Sequence, residues 1–211
     1  KTSTVSAVLK SNAYGLGLSN IAAKLIKIGC NSFFLNSIKE TLHLRKICKN
    51  SDIYLLNGLV NINHKEIKEV LDKNIIPVIN SLEELEKLIK LKKNLSDCIK
   101  ISLHFDTGIN RLGIRLNELE KIKDICKEND VEVKCLMSHL IASDEKTILN
   151  NEQKNKFDEI TKNFPNAIFS ISNSKAIINY ESMNYDMVRS GGNIFGVTSN
   201  DFKQSFSLYA R

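Results

Sequence analysis

Eight short apolar segments alternate with amphipathic stretches along this 211-residue chain, and this alternation restricts the fold more than any other feature of the sequence. Most of the segments are rich in Val, Ile, Leu or Phe, as is typical of strands that are buried on both faces of a parallel sheet. The segments predict strands over Val5–Leu9, Ser32–Leu35, Ile53–Leu56, Ile75–Ile79, Ile99–Phe105, Val131–Met137, Ala167–Ile171 and Met187–Val188.

Helical spacing of apolar residues marks the stretches between these strands. The pattern predicts helices over Ile21–Ile28, Ile38–Cys48, Leu116–Asn129, Asn151–Phe164 and Ser174–Tyr180, and a capping box at Ser81–Glu84 predicts another that ends near Lys92. Repeated βα units of this number predict an α/β fold, a (β/α)8 TIM-like barrel. A doubly wound open sheet remains the alternative, because periodicity does not distinguish a closed sheet from an open one.

The end of the chain departs from the βα pattern. Residues 204–211 follow a turn and have the pattern of one more short strand, which a closed eight-stranded barrel does not accommodate. We therefore expect residues 1–198 to form the barrel, and residues 199–211 to begin a C-terminal β domain that is otherwise missing from the chain.

Composition excludes several classes of protein. A hydrophobic content of 42% and a charged content of 26% are those of a soluble globular protein, and no apolar run approaches the length of a membrane helix. The net charge of +6 comes from lysines that are spread along the chain among glutamates, which favours a solvated surface over a nucleic-acid partner. The five cysteines lack metal-ligand spacing, so we expect reduced thiols, no metal site and a cytoplasmic location.

Polar residues at the ends of the predicted strands are the candidates for a site, because barrel enzymes react at the carboxyl ends of their strands. Lys10 directly follows an apolar strand and is a candidate amine nucleophile or base; the alternative is one more surface lysine. Near the ends of the fifth to eighth strands the sequence places His104, Arg111, His139, Asn173, Ser174, Arg189, Gly191 and Gly192.

The last two strand ends suit an anion. Ser174 begins a short helix, and Gly191 and Gly192 allow backbone N–H groups to approach a phosphate, although an ordinary N-cap and an ordinary glycine turn would look the same. A lysine at one strand end with a phosphate cradle across the barrel mouth describes a site for pyridoxal 5'-phosphate.

Five segments of the chain carry a resemblance to a known family. The segment Ala7–Gly17 (AVLKSNAYGLG) resembles the pyridoxal-phosphate lysine segment of the bacterial alanine racemases. Four further segments resemble the later signatures of that family and follow in the same order: Asp106–Gly113, Ser138–Glu145, Ser172–Ser174 and Val188–Gly196. The resemblance spans essentially the whole chain.

The resemblance implies a role for each matching residue. Lys10 would bind the cofactor covalently and then act as acid and base on one face of the substrate α carbon. Tyr14, Ser174 beside Asn173, and the backbone of Gly191 and Gly192 would hold the phosphate. Arg111 would lie near the cofactor phenolic oxygen and the substrate carboxylate. Arg189 would donate a hydrogen bond to the pyridine nitrogen and leave it unprotonated, and His139 would orient Arg189 through a hydrogen bond.

Two positions depart from the family pattern. His104 stands where the family often has a lysine, sometimes carbamylated, that positions the equivalent of Arg111. Gly192 stands where an apolar residue is usual, and a backbone contact survives that change.

The resemblance also implies that the protein supplies D-alanine for peptidoglycan and that the full-length protein is a homodimer. The second acid and base of the family is a tyrosine of the C-terminal domain of the partner subunit, to which no tyrosine of this chain corresponds. A broad-specificity or serine racemase of the same family remains an alternative. So does a non-catalytic barrel that binds pyridoxal phosphate for cofactor homeostasis.

Overall fold

The strands of this protein form a parallel barrel. The computed structural model describes residues 2–92 and 98–196. Its strands are β1 (Thr4–Val8), β2 (Ser32–Leu35), β3 (Asp52–Leu55), β4 (Ile75–Ile79), β5 (Ile99–His104), β6 (Val131–Met137), β7 (Ile168–Ser170) and β8 (Met187–Ser190). The eight strands lie in the order β7-β6-β5-β4-β3-β2-β1-β8, and a parallel bridge between Asn173 and Arg189 brings β8 against the end of β7. The predicted TIM-like barrel is therefore confirmed, and the open doubly wound sheet is not found.

Helices follow most of the strands, as the pattern predicts. They span Leu18–Lys27, Ile38–Ile47, His64–Asp72, Leu82–Lys92, Leu119–Glu128, Ile148–Thr161 and Ser174–Asn179. The helix at His64–Asp72 is absent from the prediction, although Asn63 and Glu66 form a capping box at its start. The predicted strand at 204–211 and the domain boundary at 198 lie outside the described residues.

Two buried layers hold the barrel together. Phe34, Tyr54, Val78 and Met137 belong to a cluster that contains strand residues alone, which places it inside the barrel. The rings of Phe34 and Tyr54 stack there with their centroids 4.3 Å apart. A larger cluster joins the outward-facing strand residues to the helices. Both layers bury the middle of each strand and leave polar residues at the strand ends.

Candidate active site

A cavity of about 540 Å³ opens at the carboxyl ends of the strands, where the sequence places the site. The predicted site residues that line it are Lys10, Tyr14, Arg111, His139, Asn173, Ser174, Arg189 and Gly191. His104 also lines it, whereas Gly192 does not. Among the described residues, two larger cavities lie at the opposite end of the barrel, against the first residues of β3 to β7, and none of the predicted site residues lines either of them.

The segment after β1 makes a left-handed helical turn, which we call the lysine turn (Lys10–Tyr14). Ser11 to Tyr14 all have φ values of 54–55°, in the region that non-glycine residues rarely adopt. Each such residue costs about 1–2 kcal/mol relative to a right-handed turn. Backbone hydrogen bonds from Ala13 to Leu9 (3.0 Å) and from Gly15 to Ser11 (2.9 Å) hold the turn. Lys10 and Tyr14, the first and last residues of the turn, both line the cavity.

A tight loop after β5 presents Arg111 to the cavity. Asp106 Oδ1 accepts hydrogen bonds from the backbone N–H groups of Gly108 (2.9 Å) and Asn110 (3.1 Å). A Cβ on Gly113 would lie 2.7 Å from the Asp106 nitrogen, so this position requires glycine. The Arg111 side chain is exposed and has no hydrogen-bond or ion-pair partner within residues 2–92 and 98–196, so it is available to an anionic ligand.

His104, at the end of β5, is buried beside this loop and is held in one tautomer. The amide nitrogen of Asn80 donates to the carbonyls of Leu56 (3.1 Å) and Val78 (2.9 Å), which leaves Oδ1 as an acceptor. That oxygen lies 2.8 Å from His104 Nδ1, so Nδ1 carries the proton. Burial, with the charges of Arg189 and Arg111, lowers the pKa of His104 to about 3. Its Nε2 is therefore a buried acceptor without a partner in the described part of the chain.

The loop after β6 carries His139. A buried side-chain amide of the Ile148–Thr161 helix holds this loop in place. Gln153 donates to the His139 carbonyl (2.9 Å) and accepts from the Ile141 N–H (2.8 Å). Burial lowers the pKa of His139 to about 3, and the charge of Arg189 adds to that effect. The implied hydrogen bond from His139 to Arg189 is not present in the described residues, where the His139 ring has no hydrogen-bond partner.

Arg189 is held instead by carbonyl and hydroxyl oxygens of its neighbours. Its Nη1 donates to the Ser170 carbonyl (2.8 Å) and hydroxyl (2.7 Å), and its Nη2 donates to the Ser138 carbonyl (2.6 Å). Burial lowers the pKa of the guanidinium to about 10, so it stays charged at neutral pH. The Nε–H has no partner among the described residues and is the donor that remains for a ligand.

A polar cradle closes the cavity at β7 and β8. The Ser174 hydroxyl accepts from the Gly191 N–H (2.8 Å), and Asn173 Oδ1 caps the short helix that follows it. A Cβ on Gly191 would lie 2.5 Å from the Tyr14 hydroxyl oxygen, so the loops after β1 and β8 meet where only glycine fits. Burial raises the pKa of Tyr14, which keeps its hydroxyl protonated.

Comparison with known proteins assigns this arrangement to a family. A family model described as "Alanine racemase, N-terminal domain" matches residues 1–199. The chain belongs to the alanine racemase N-terminal domain family. It is 38% identical over 205 residues to alanine racemase of Rickettsia bellii, and 36% identical over 207 residues to that of Rickettsia prowazekii. These matches cover 93% and 94% of this chain but only 48% and 49% of the relatives, so the chain spans about half of their length.

Solved alanine racemases share the fold of this family member. The structure from Bartonella henselae, solved with covalently bound pyridoxal phosphate, is 33% identical and has a TM-score of 0.84 over 92% of this chain and 57% of that one. The enzyme from Corynebacterium glutamicum is 21% identical with a TM-score of 0.85, over 96% of this chain and 59% of that one, and it shows the fold alone.

Several further residues of this alanine racemase family member shape the site. Asn36, directly after β2, and Asn57, two residues after β3, line the cavity, and the rule that located Lys10 and Arg189 at strand ends would have found them. Asn80 and Gln153 act from outside the cavity, on His104 and on the loop of His139. Asn80 directly follows β4, so the same rule would have found it, whereas no motif marks Gln153 inside its helix.

Across residues 2–92 and 98–196 the helices are too short or too polar to span a bilayer. Over the same ranges, no cluster of three or more His, Cys, Asp or Glu side chains has the arrangement of a metal site.

Proposed function

We propose that this chain is the cofactor-binding barrel of a pyridoxal-phosphate-dependent alanine racemase that interconverts L- and D-alanine. The observation that carries the proposal is the convergence of a lysine, two arginines and a glycine-lined polar cradle on one cavity at the carboxyl ends of the strands. Family membership supports it, because the named relatives are alanine racemases.

The residues of the cavity fit pyridoxal phosphate. The approach of Gly191 to the Tyr14 hydroxyl leaves room for backbone beside that hydroxyl and for no side chain, as a phosphate cradle requires. Ser174, Asn173, Tyr14 and the backbone of Gly191 would hold the phosphate, and Gly192, outside the cavity lining, would contribute through its backbone. Lys10 would bind the cofactor covalently.

The cofactor supplies a ring that withdraws electrons from the amino-acid α carbon and acidifies its proton. Lys10 would then move that proton on one face of the α carbon. Arg111, whose guanidinium has no other partner in the described residues, would bind the substrate carboxylate as a fixed fork. The Nε–H of Arg189 would face the ring nitrogen and leave it unprotonated, since a guanidinium does not give up its proton at neutral pH.

Inversion at the α carbon requires a second acid and base on the opposite face. We propose that this group is a tyrosine of the C-terminal β domain of the whole protein, contributed across a homodimer. The wider role that follows from the family is the supply of D-alanine for peptidoglycan, by an enzyme that acts in the cytoplasm. The contribution of His139 would be electrostatic, through its neutral ring beside Arg189 and Lys10.

The test replaces Lys10 in the gene product that contains this chain. Lys10→Ala should abolish the visible absorbance of the lysine-bound cofactor and reduce alanine interconversion at least about a thousandfold. Lys68→Ala, which removes an exposed lysine of the His64–Asp72 helix, is the matched control and should leave both unchanged.

Wild-type rates in Lys10→Ala would overturn the proposal. The same assay with L-serine separates the alternatives within the family: equal rates on serine and alanine would favour a broad-specificity racemase. Cofactor binding with no turnover of either amino acid would favour a homeostasis barrel.

A further inference from the structure

We propose that Glu40 is a positioning residue that fixes the lysine turn and thereby aims Lys10 and Tyr14 into the cavity. Glu40 lies in the first turn of the Ile38–Ile47 helix, which follows β2, and it does not line the cavity. Its Oε1 accepts a hydrogen bond of 2.8 Å from the Asn12 N–H, in the middle of the lysine turn. This contact links the segment that carries Lys10 to a neighbouring βα unit.

The lysine turn needs such a contact because its own hydrogen bonds do not reach every donor. The backbone N–H groups of residues 13, 15 and 17 donate to the carbonyls of residues 9, 11 and 12, which lie in or directly before the lysine turn, at 2.9–3.0 Å. The Asn12 side chain adds one more bond, in which its Oδ1 accepts from the Leu18 N–H at 2.9 Å. The Asn12 N–H points out of the segment and is met by the Glu40 carboxylate. A bond to an ionised acceptor is stronger than one to a neutral group, which suits a strained backbone.

Glu40 is itself held in place by its second carboxylate oxygen. Oε2 accepts from the Ser37 N–H (3.3 Å) and from the Ser37 hydroxyl (2.9 Å), while the Ser37 hydroxyl accepts from the Glu40 N–H (3.3 Å). These bonds form the capping box of the helix. One carboxylate thus divides its oxygens, Oε2 to the helix cap and Oε1 to the lysine turn.

The inference rests on the proposed function of Lys10 as the cofactor lysine. Without the Glu40 contact, the left-handed residues Ser11–Tyr14 lose an external restraint, and the right-handed or extended backbone that they would otherwise favour points Lys10 and Tyr14 elsewhere. Glu40 does not line the cavity, so its effect must pass through the turn.

The experiment compares three variants of the gene product that contains this chain. Glu40→Ala removes both contacts, and Glu40→Gln keeps a carbonyl oxygen for the Asn12 N–H. Ser37→Ala is the matched control, because it weakens the cap of the same helix and leaves the contact to Asn12. Three properties are measured: hydrogen exchange of the Asn12 backbone amide without cofactor, the dissociation constant of pyridoxal phosphate, and kcat and KM for L-alanine.

We expect Glu40→Ala to speed exchange of the Asn12 amide and to raise the dissociation constant of the cofactor at least about tenfold, the effect of one lost bond to a charged group. Glu40→Gln should recover most of that loss. Ser37→Ala keeps the contact to Asn12 and removes only one of the two Ser37 donors to Oε2, so it should show much smaller changes in both measurements than Glu40→Ala. If Glu40→Ala fails to fold, the comparison of Glu40→Gln with Ser37→Ala still decides, since the proposal requires that Gln preserves slow exchange of the Asn12 amide.

Three results would overturn the inference: unchanged exchange of the Asn12 amide in Glu40→Ala, faster exchange without weaker cofactor binding, or equal losses in Ser37→Ala and Glu40→Ala. Failure of the proposed function has a different signature. In that case the wild type and Lys10→Ala would bind the cofactor alike, while the effect of Glu40 on the Asn12 amide would persist.

Discussion

At the scale of single residues, the site depends on histidines that are kept neutral. His104 is 5% exposed, and its Nδ1 proton is committed to Asn80. Protonation of Nε2 would bury a positive charge near Arg189 and Arg111, which is why the pKa falls from 6.5 to about 3. The cavity thus gains a fixed, uncharged acceptor, whereas a protonated ring would repel the arginine that we assign to the substrate carboxylate.

This neutral state predicts a dependence of stability on pH. Because the folded-state pKa of His104 lies below its unfolded value, the unfolded chain binds more protons between these values, and the folded state loses stability as the pH falls below about 6.5. From about pH 7 to about pH 5 the loss due to His104 is roughly 2 kcal/mol. The free energy of unfolding in urea should therefore fall less over this range in His104→Gln than in the wild type.

The control for that prediction is His64→Gln, which removes an exposed histidine at the start of the His64–Asp72 helix, away from the buried site. His139 contributes a similar slope in every variant and cancels from the comparison. Equal slopes in the wild type and in His104→Gln would show that the ring already titrates in the folded protein.

At the scale of elements, the sequence predicts the repeated strands well, but it predicts individual helices and helix caps less well. All eight strands were predicted to within two residues at either end, because burial on both faces leaves a short apolar run. The helix His64–Asp72 was missed because it is short and mostly charged, although Asn63 and Glu66 mark its start. The capping box predicted at Ser81 is half formed, since the Glu84 carboxylate accepts from the Asn80 N–H instead of the Ser81 N–H.

The site divides in the same way. Lys10, Arg111 and Arg189 could be predicted because their residue types are distinctive and they lie at the end of a strand or in the loop after it. The left-handed lysine turn could not, since propensity disfavours it at Ser11–Tyr14 and its supports come from distant residues. The hydrogen bonds from Arg189 to the carbonyls of Ser138 and Ser170 could not be predicted either, because every residue has a backbone carbonyl and the sequence does not show which ones accept.

The meeting of the loops after β1 and β8 gives a prediction about cofactor affinity. Gly191 has a negative φ of −121°, and the variant Gly191→Ala places a new Cβ between the loops after β1 and β8. That Cβ would lie 2.5 Å from the Tyr14 hydroxyl oxygen and 3.4 Å from Cζ. The Tyr14 side chain must then turn away. The hydrogen bond that we propose between its hydroxyl and the cofactor phosphate would be lost, and we expect the dissociation constant of pyridoxal phosphate to rise about tenfold.

A double-mutant cycle with Tyr14→Phe checks this steric cause. Phenylalanine lacks the hydroxyl and leaves the Cβ only ordinary contacts. Gly191→Ala should therefore cost little further affinity in the Tyr14→Phe background, as is expected of two residues that act through one contact. Additive losses would instead mean that the Cβ blocks the phosphate directly.

At the scale of the whole molecule, the barrel closes at a seam with few strand hydrogen bonds. β7 is three residues long, and its contact with β8 includes one isolated bridge, at Asn173 and Arg189. The backbone N–H of Arg189 donates to the Ser172 carbonyl (3.0 Å). The Arg189 side chain adds bonds to the carbonyls of Ser170 and Ser138, so one buried residue of β8 connects the ends of β7 and β6.

This position predicts that Arg189 closes the barrel as well as contributing to the site. Arg189→Met keeps an unbranched stem but leaves the buried carbonyls of Ser138 and Ser170 without their donors, so the free energy of unfolding should fall by about 3 kcal/mol without any cofactor present. Hydrogen exchange should quicken first in β7 and β8, while β2 to β5 keep their protection.

Arg45→Met is the matched control, because Arg45 also donates to backbone carbonyls but at the opposite end of the barrel, including those of Ser51 (2.8 Å) and Asn74 (2.7 Å). It should destabilise the protein while quickening exchange near β3 and β4 and sparing the seam. If Arg189→Met and Arg45→Met changed the same amides, the guanidinium of Arg189 would have no special part in closing the barrel. A loss confined to β7 and β8 would mean that the residue assigned to the cofactor ring nitrogen also holds the barrel closed around that ring.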